Sequence, residues 1–270
     1  MKEKTPVILE VNHLSKFYRD AKFFSKKHLV VDKVSFKVHQ GEIFGITGHN
    51  SCGKSTLANM LVGAIKPDGG HIAYQGRELA FGDVKFRREH IRIAKTSLVE
   101  DFILPVDVNE FLSLPLEMAG IDRQFYPEII HNVLGLINAP AILAAKYLGR
   151  LNAQEQSLVA LAHSLILSPE IIIIDDIFAT CDLSFKGVLI NIILRLQELG
   201  HTVILITADL GIIKHVTNRV MILQDGVIED LGNTYEVLNN TTSEFTARLI
   251  KSYFGRQLKA SDWLFSLREL

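Results

Sequence analysis

Two cysteines, one tryptophan and seven prolines in 270 residues leave little to staple or kink this chain. Cys52 and Cys181 are too few for a disulfide framework, which excludes a stapled miniprotein and fits a reducing compartment. An excess of charge of either sign is also missing: 29 Lys and Arg face 30 Asp and Glu, for a net charge of -1. No global field therefore holds the chain on nucleic acid or on an anionic membrane, and no nucleic-acid partner is expected. Although 48% of the residues are hydrophobic and the mean hydropathy is +0.21, no apolar run reaches the roughly 20 residues of a bilayer-spanning helix. The richest segments, Ser157–Leu167 and Ile171–Ile174, stop at charges or proline. The first residues lack the apolar stretch and small-residue cleavage site of a signal peptide, so the chain is expected to stay in the cytoplasm. Its length allows one large domain or two small ones.

Short strand signals occupy the first third, at Val7–Val11, Leu29–Val38 and Glu42–Thr47, with Gly41 and Gly48 between and after them. The polar, aromatic and basic stretch Tyr18–His28 reads as a hairpin loop whose Lys26 and Lys27 are solvated. From Ser55 the residues Leu57, Met60, Leu61 and Ile65 follow helical spacing, and Lys66-Pro67-Asp68-Gly69-Gly70 closes that helix. Residues from about 97 to 168 carry Leu, Ile and Ala at helical spacing and few strand signals, as an α-helical insertion does. Alternation then returns: strand Ile171–Ile174, helix Ser184–Leu199, strand Thr202–Thr207, helix Leu210–Val216 and strand Arg219–Gln224 with the turn Asp225-Gly226. Strands alternating with helices predict an α/β fold with a parallel sheet covered on both faces. The tail from about 236 is helical in pattern, with Trp263 and several Phe expected to dock it. There is no internal repeat and no low-complexity segment.

The run Gly48-His49-Asn50-Ser51-Cys52-Gly53-Lys54-Ser55 satisfies G-x-x-x-x-G-K-[ST] directly after a predicted strand and before a predicted helix. Glycines let successive N–H groups point inward, and the helix N-terminus adds partial positive charge, so the loop can cradle nucleotide phosphates. Lys54 is placed to reach the β/γ-phosphates, and Ser55 to ligate Mg²⁺. Such a loop needs a second carboxylate for the metal at the end of a buried strand. Ile171-Ile172-Ile173-Ile174-Asp175-Asp176 supplies it: Asp175 is placed for Mg²⁺, and Asp176 to polarise an attacking water.

By these motifs the chain resembles the nucleotide-binding subunits of ABC transporters over nearly its whole length. The order is that family's: an aromatic, Phe17 or Tyr18, the phosphate loop, a helical subdomain, a signature helix, the Asp175 strand, Asp182, and the strand end Thr207-Ala208-Asp209-Leu210. Within the family, the run Phe81-Gly82-Asp83 through Arg87 to Ile91-Arg92-Ile93 is similar to the peptide-transport type. The resemblance implies a P-loop NTPase (RecA-like) core with an N-terminal antiparallel β part and an inserted α-helical subdomain. Its boundaries are 1–96 with 169–235 for the core, 97–168 for the subdomain and 236–270 for a helical tail. It further implies ATP and Mg²⁺ as cofactors and a nucleotide site of Tyr18, Gly48, Asn50, Gly53, Lys54, Ser55, Thr56 and Asp175. Asn152 and Asp182 belong to the same implied nucleotide-binding set, the Asn152 segment closing on the nucleotide of a second ATP-binding subunit in a heterodimer or a homodimer. Transmembrane permease subunits would be direct partners and a periplasmic substrate-binding protein an indirect one, at the cytoplasmic face of the inner membrane.

Departures from the family pattern carry most of the expectation about activity. The LSGGQ signature falls on Leu151-Asn152-Ala153-Gln154-Glu155, without its serine and glycines. Asn152 and Glu155 keep a capping-box spacing, whereas the Gln154 side chain blocks close backbone approach. The Q-loop glutamine aligns with Thr96, the switch histidine with Ala208, and the catalytic glutamate with Asp176, one methylene shorter. A misplacement of about 1 Å can cost on the order of 100-fold in rate. These departures imply a subunit that binds Mg-ATP, hydrolyses it slowly, and works in a heterodimer.

Other residues take blander readings: Cys52 as packing, His49 as a variable loop residue, and His163, where the family often has arginine, as a helix-surface residue. No H-x-x-x-H, C-x-x-C or G-x-S-x-G arrangement supports other metal or acyl-transfer chemistry. The competing functional classes are a soluble ABC-type ATPase not coupled to a transporter and a P-loop kinase or GTPase. The second lacks an N-K-x-D run and does not explain the helical insertion.

Overall fold

The computed structural model describes residues 5–19, 27–102 and 105–266, with backbone alone at 19, 27 and 256–266. Two sheets organise them. The first is antiparallel and four-stranded: β1 (Val7–Arg19) pairs with β2 (Lys27–His39) on one side and β4 (Gly69–Tyr74) on the other, and β5 (Arg77–Glu78) closes the order β2-β1-β4-β5. The second has six strands: β3 (Ile43–Gly48), β6 (Ile91–Ala94), β7 (Ile171–Asp175), β8 (Thr202–Ile206), β9 (Arg219–Gln224) and β10 (Val227–Asn233), in the order β10-β9-β3-β8-β7-β6. Five are parallel, and β10 folds back antiparallel on β9. The turn between them has φ 46° at Asp225 and 82° at Gly226, the positive pair that a tight two-residue hairpin requires.

The parallel strands are apolar on both faces because both are covered. In β7, Ile171 and Ile173 pack into the core shared with the antiparallel sheet and α1 (Lys54–Leu61), while Ile172 and Ile174 face the core formed with the helices. In β8, Ile204 with Ile206 and Val203 with Leu205 divide the same way. The helical side holds α3 (Ser97–Glu100), α4 (Val108–Met118), α5 (Tyr126–Leu136) and α6 (Ala153–Leu165), all inserted between β6 and β7, then α7 (Leu183–Glu198) and α8 (Leu210–Val216). α9 (Thr234–Asn240) and α10 (Glu244–Ser266) end the described chain; Phe245 and Leu249 pack on Ile213, Val220, Ile222 and Val237. The side chain of Trp263 lies outside the described residues.

Three local expectations are corrected. Tyr18–His28 is not all loop: Phe17 pairs with Leu29 and Tyr18 with His28, so both strands run further than their apolar residues. Past the sheet these strands form a two-stranded ribbon with exposed aromatics, where no buried face imposes alternation. Residues 20–26 lie outside the described set. The helix after Ser55 stops at Leu61 instead of reaching Lys66. Gly63 turns left-handed at φ 77°, and the buried Arg87 of α2 (Val84–His90) donates to the Leu61 carbonyl at 2.7 Å, ending the helix from outside. Finally, β4, β5, β6, β10 and α2 have no counterpart in the sequence reading, being short or mixed in polarity.

Candidate functional site

The carboxyl ends of β3 and β7 meet at a cavity of about 430 Å³ lined by Tyr18, Asn50, Gly53, Lys54, Ser55, Thr56, Asp175 and Asp176, among others. Ligand sites in open α/β sheets occupy this position. Two glycines shape the loop by steric necessity. Gly48 has φ 147°, and a β-carbon there would lie 2.1 Å from the Leu223 carbonyl oxygen. Gly53 has φ 103° and would meet the Val30 oxygen at 2.5 Å. Only glycine fits both positions. Ser51 is also left-handed, at φ 64°. Lys54 Nζ donates to the Gly48 and His49 carbonyls at 2.9 and 2.7 Å, arching over the loop. Cys52 is buried beneath it, in keeping with a packing role, and His49 rests edge-on against Phe245 of α10 at 5.3 Å.

Ser55 Oγ donates to Asp175 Oδ1 at 3.3 Å. The other oxygen, Asp175 Oδ2, is buried with no hydrogen-bond donor, and its nearest opposite charge is Lys95 Nζ at 3.9 Å. Burial pushes the Asp175 carboxyl above the ordinary carboxylate range, against the pull of Lys95, Ser55 and Lys54. A hydroxyl beside an under-satisfied carboxylate is the hard oxygen set that Mg²⁺ takes, so the residues present fit the metal. Among the described residues no group of three or more His, Cys, Asp or Glu could hold a metal ion. Asp176 follows at φ 54°, its N–H bonded to the Ile206 carbonyl at 2.9 Å. Although the side chain opens to solvent, partial burial and the neighbouring Asp175 charge raise its pKa, while Lys54 and Lys186 oppose them. A raised carboxyl pKa favours a proton acceptor over a permanently ionised one.

Two of the expected site residues stand apart from this cavity. Asn152 caps α6: its Oδ1 accepts from the Glu155 N–H at 2.9 Å, and Glu155 Oε2 accepts from the Asn152 N–H at 3.1 Å. Lys146 holds Glu155 at 2.5 Å, which keeps that carboxylate below its usual range. Asp182 caps α7 through Phe185 N–H at 2.8 Å. Gln154, two residues after Asn152, donates to Asp182 Oδ2. Of the two aromatic candidates, Tyr18 lines the cavity, and it does so from within β1.

The reading of His163 as a surface residue is modified, since the side chain is half-buried: its ring stacks on Phe111 at 4.7 Å, Arg92 donates to its carbonyl at 3.0 Å, and desolvation holds its pKa down at about 3, with Arg92 adding to the effect. It helps line a groove of about 570 Å³ between α2, α4 and α6. Lys95 and Lys186 were missed altogether. Lys186 Nζ pairs with Asp209 Oδ2 at 2.9 Å, and the Tyr253 hydroxyl of α10 donates to Asp209 Oδ1. Burial resists the ionisation of Asp209, but those donors outweigh it and its pKa falls. The signal for Lys95 was a lysine directly after Ile91–Ala94, in the strand that lies beside Ile171–Ile174.

A P-loop closed by two obligatory glycines, a serine facing a buried aspartate at the tip of a parallel sheet, and a helical insertion between β6 and β7 define a nucleotide-binding cassette. The family model described as ABC transporter matches residues 31–179, and the chain belongs to that family, whose members bind ATP. The chain is similar to "Putrescine export system ATP-binding protein SapF" of Escherichia coli (strain K12), 32% identical over 95% of this chain and 97% of that protein. It is 31% identical over the same shares to "Peptide transport system ATP-binding protein SapF" of Salmonella typhimurium. Haemophilus influenzae "Oligopeptide transport ATP-binding protein OppF" is 27% identical, over 91% of this chain and 78% of its own. In fold, the chain resembles the dimeric post-hydrolysis state of the cassette MJ0796 bound to ADP and Pi. That match has a TM-score of 0.75 and 22% identity over 84% of this chain and 99% of the other. The fold also resembles cbiO1 of Clostridium perfringens, with a TM-score of 0.74 and 22% identity over 95% and 99%.

Proposed function

We propose that this chain is the ATP-binding subunit of a peptide-transport ABC importer, holding Mg-ATP in a heterodimer and hydrolysing it slowly. The observation that carries the reading is a contrast between the residues that line the cavity and two positions elsewhere in the sequence. Lys54, Ser55 and Asp175 keep the geometry for binding phosphate and metal, while Thr96 and Ala208 offer no long polar group where the family's sensing residues stand. The nucleotide's phosphates would lie in the Gly48–Ser55 loop, with Tyr18 beside the base and Asn50 and Thr56 on the loop's flank. Ser55 and Asp175 would hold Mg²⁺, which when bound neutralises charge on the transferred phosphate. Asp176 would orient and deprotonate the attacking water.

Asn152 and Asp182 are not among the residues that line this cavity and would meet the nucleotide of a second ATP-binding subunit. A homodimer would carry both sets of departures in each of its two sites, which favours a heterodimer. The peptide cargo is supported by the oligopeptide and peptide SapF and OppF relatives, while one SapF relative's name specifies putrescine export. The apolar groove, walled by Leu98, Phe102, Phe111, Met118 and Leu167, suits a cytoplasmic helix of a permease subunit, and favours a transporter over a free ATPase. Residues 103–104, within the segment Phe102–Pro105 that would receive this helix, lie outside the described set. Among the described residues no helix is long and apolar enough to cross a membrane, so attachment at the cytoplasmic face of the inner membrane would come through those permeases.

The test is single-turnover ATP hydrolysis by the assembled transporter, comparing wild type with Asp176→Asn and Lys54→Ala. Loss of binding with Lys54→Ala and little change with Asp176→Asn is the expected result. Rapid hydrolysis by this chain alone, or a large loss with Asp176→Asn, overturns the slow-hydrolysis reading.

A further inference from the structure

Lys95 owes its place to sheet register. β6 and β7 are parallel with Ala94 opposite Ile174, so the next residue of each strand, Lys95 and Asp175, emerges on the same side at the same level. The ammonium stops 3.9 Å from Asp175 Oδ2, too far for a hydrogen bond, and that oxygen is buried with no donor. The lysine side chain is 30% exposed, so its head keeps contact with water. Directly after it comes Thr96, short and uncharged. Lys95 therefore adds its positive charge to that of Lys54 beside Asp175.

We infer that Lys95 is a resident cation of the nucleotide site, pairing with Asp175 and adding positive charge beside the phosphates, so that ATP is held with only weak dependence on a divalent ion. The inference rests on the reading of the cavity as an ATP site. Two consequences of Coulomb's law act in the same direction. A cation beside Asp175 repels a divalent ion that shares the carboxylate, which weakens the metal's grip. The same cation attracts metal-free nucleotide, whose phosphates carry their full negative charge. Both narrow the gap between affinity with and without Mg²⁺. A purely structural ion pair would change stability and leave that gap alone.

The experiment titrates the full chain with the fluorescent nucleotide MANT-ATP at fixed ionic strength, once with excess Mg²⁺ and once with EDTA. Wild type, Lys95→Gln, Lys95→Met and Lys95→Arg are compared. For wild type the two Kd values are expected to lie within about tenfold of each other. Lys95→Gln should widen the ratio by a further factor on the order of ten, one charge-assisted contact, chiefly by weakening binding in EDTA. Lys95→Arg, which keeps the charge, should keep the wild-type ratio. Lys95→Met retains the aliphatic stem and gives the same measurement should the glutamine variant melt early. An unchanged ratio in folded Lys95→Gln or Lys95→Met overturns the inference while the ATP site stands. Failure of wild type to bind MANT-ATP in either buffer overturns the ATP site itself and the inference with it.

Discussion

Gln154 Nε2 donates a 2.7 Å hydrogen bond to Asp182 Oδ2, tying the first turn of α6 to the start of α7. The other carboxylate oxygen already caps α7 through Phe185 N–H, so both oxygens of Asp182 are engaged within its own chain. In the proposed dimer these two helix starts face the second subunit. The side chain at 154 thus adds bulk where backbone must approach closely and also occupies a carboxylate that could have bonded across the interface.

Replacing Gln154 with glycine should therefore strengthen ATP-dependent pairing with the second ATP-binding subunit. The gain expected is threefold to tenfold, about one neutral hydrogen bond. The same change should cost α6 about 0.5–1 kcal/mol, because glycine loses more backbone entropy. Analytical ultracentrifugation with ATP separates the two effects. Unchanged or weaker pairing, with the variant folded, removes Gln154 as the obstacle.

Arg87 is the second structural lever. Its guanidinium is buried, donating to the Leu61 carbonyl at 2.7 Å and the Leu79 carbonyl at 3.1 Å, and burial lowers its pKa against the pull of Asp83. Arg87→Met keeps much of the volume and leaves both carbonyls without that donor, one of them at the end of the helix that carries Ser55. The loss expected is about 2–4 kcal/mol in urea unfolding, with weaker nucleotide binding alongside. A change within about 0.5 kcal/mol would mean that solvent or a shifted turn satisfies those carbonyls.

The site was more legible than its frame. Gly48 to Ser55 and the Asp175 strand announce themselves because phosphate binding demands fixed residue types at fixed spacing. β7, β8 and β9 were legible because two covered faces make a parallel strand uniformly apolar. β6 was not read as a strand, since Arg92 interrupts four residues, and without it the pairing that sets Lys95 beside Asp175 could not be foreseen. The capping box at Asn152 and Glu155 is local and was readable from spacing. The Gln154–Asp182 bond spans 28 residues and depends on how α6 and α7 pack. His163 misled for a related reason: a polar residue on an amphipathic helix reads as exposed until the helix that brings Phe111 over it is in place.

Gly53 offers a steric test of the phosphate loop. With φ 103° and the Val30 oxygen 2.5 Å from where an alanine methyl would stand, Gly53→Ala can be accommodated only by moving the backbone of β2 or of the loop itself. Nucleotide affinity is expected to fall by at least about 100-fold, given that a shift of about 1 Å misplaces the cradle. Gly149→Ala is the control: no heavy atom lies within 4 Å of its added carbon and its φ is not positive, so affinity and stability should stay within about 0.5 kcal/mol. Equal behaviour of the two variants would mean that the loop is pliable and that its glycines do not set the cradle.

His163 gives the groove a pH signature. In the folded chain burial against Phe111, with Arg92 adjacent, holds its pKa down at about 3, whereas in the unfolded chain it titrates near 6.5. Below about pH 6.5 the unfolded state takes up a proton that the folded state refuses, so this residue's stabilising effect is complete above that pH and declines as pH falls towards 3. Between pH 7 and pH 5 the loss attributable to this one residue is about 2 kcal/mol. His163→Gln keeps a polar side chain of similar size beside Arg92 and does not titrate, so the difference in unfolding free energy between wild type and variant should change by that amount across the interval. Lys85, Arg88 and Glu89, which also line the groove, are common to both proteins and drop out of the difference. Parallel curves for the two proteins would mean that the folded chain admits the proton, and that His163 is as open to solvent as its place in the sequence suggested.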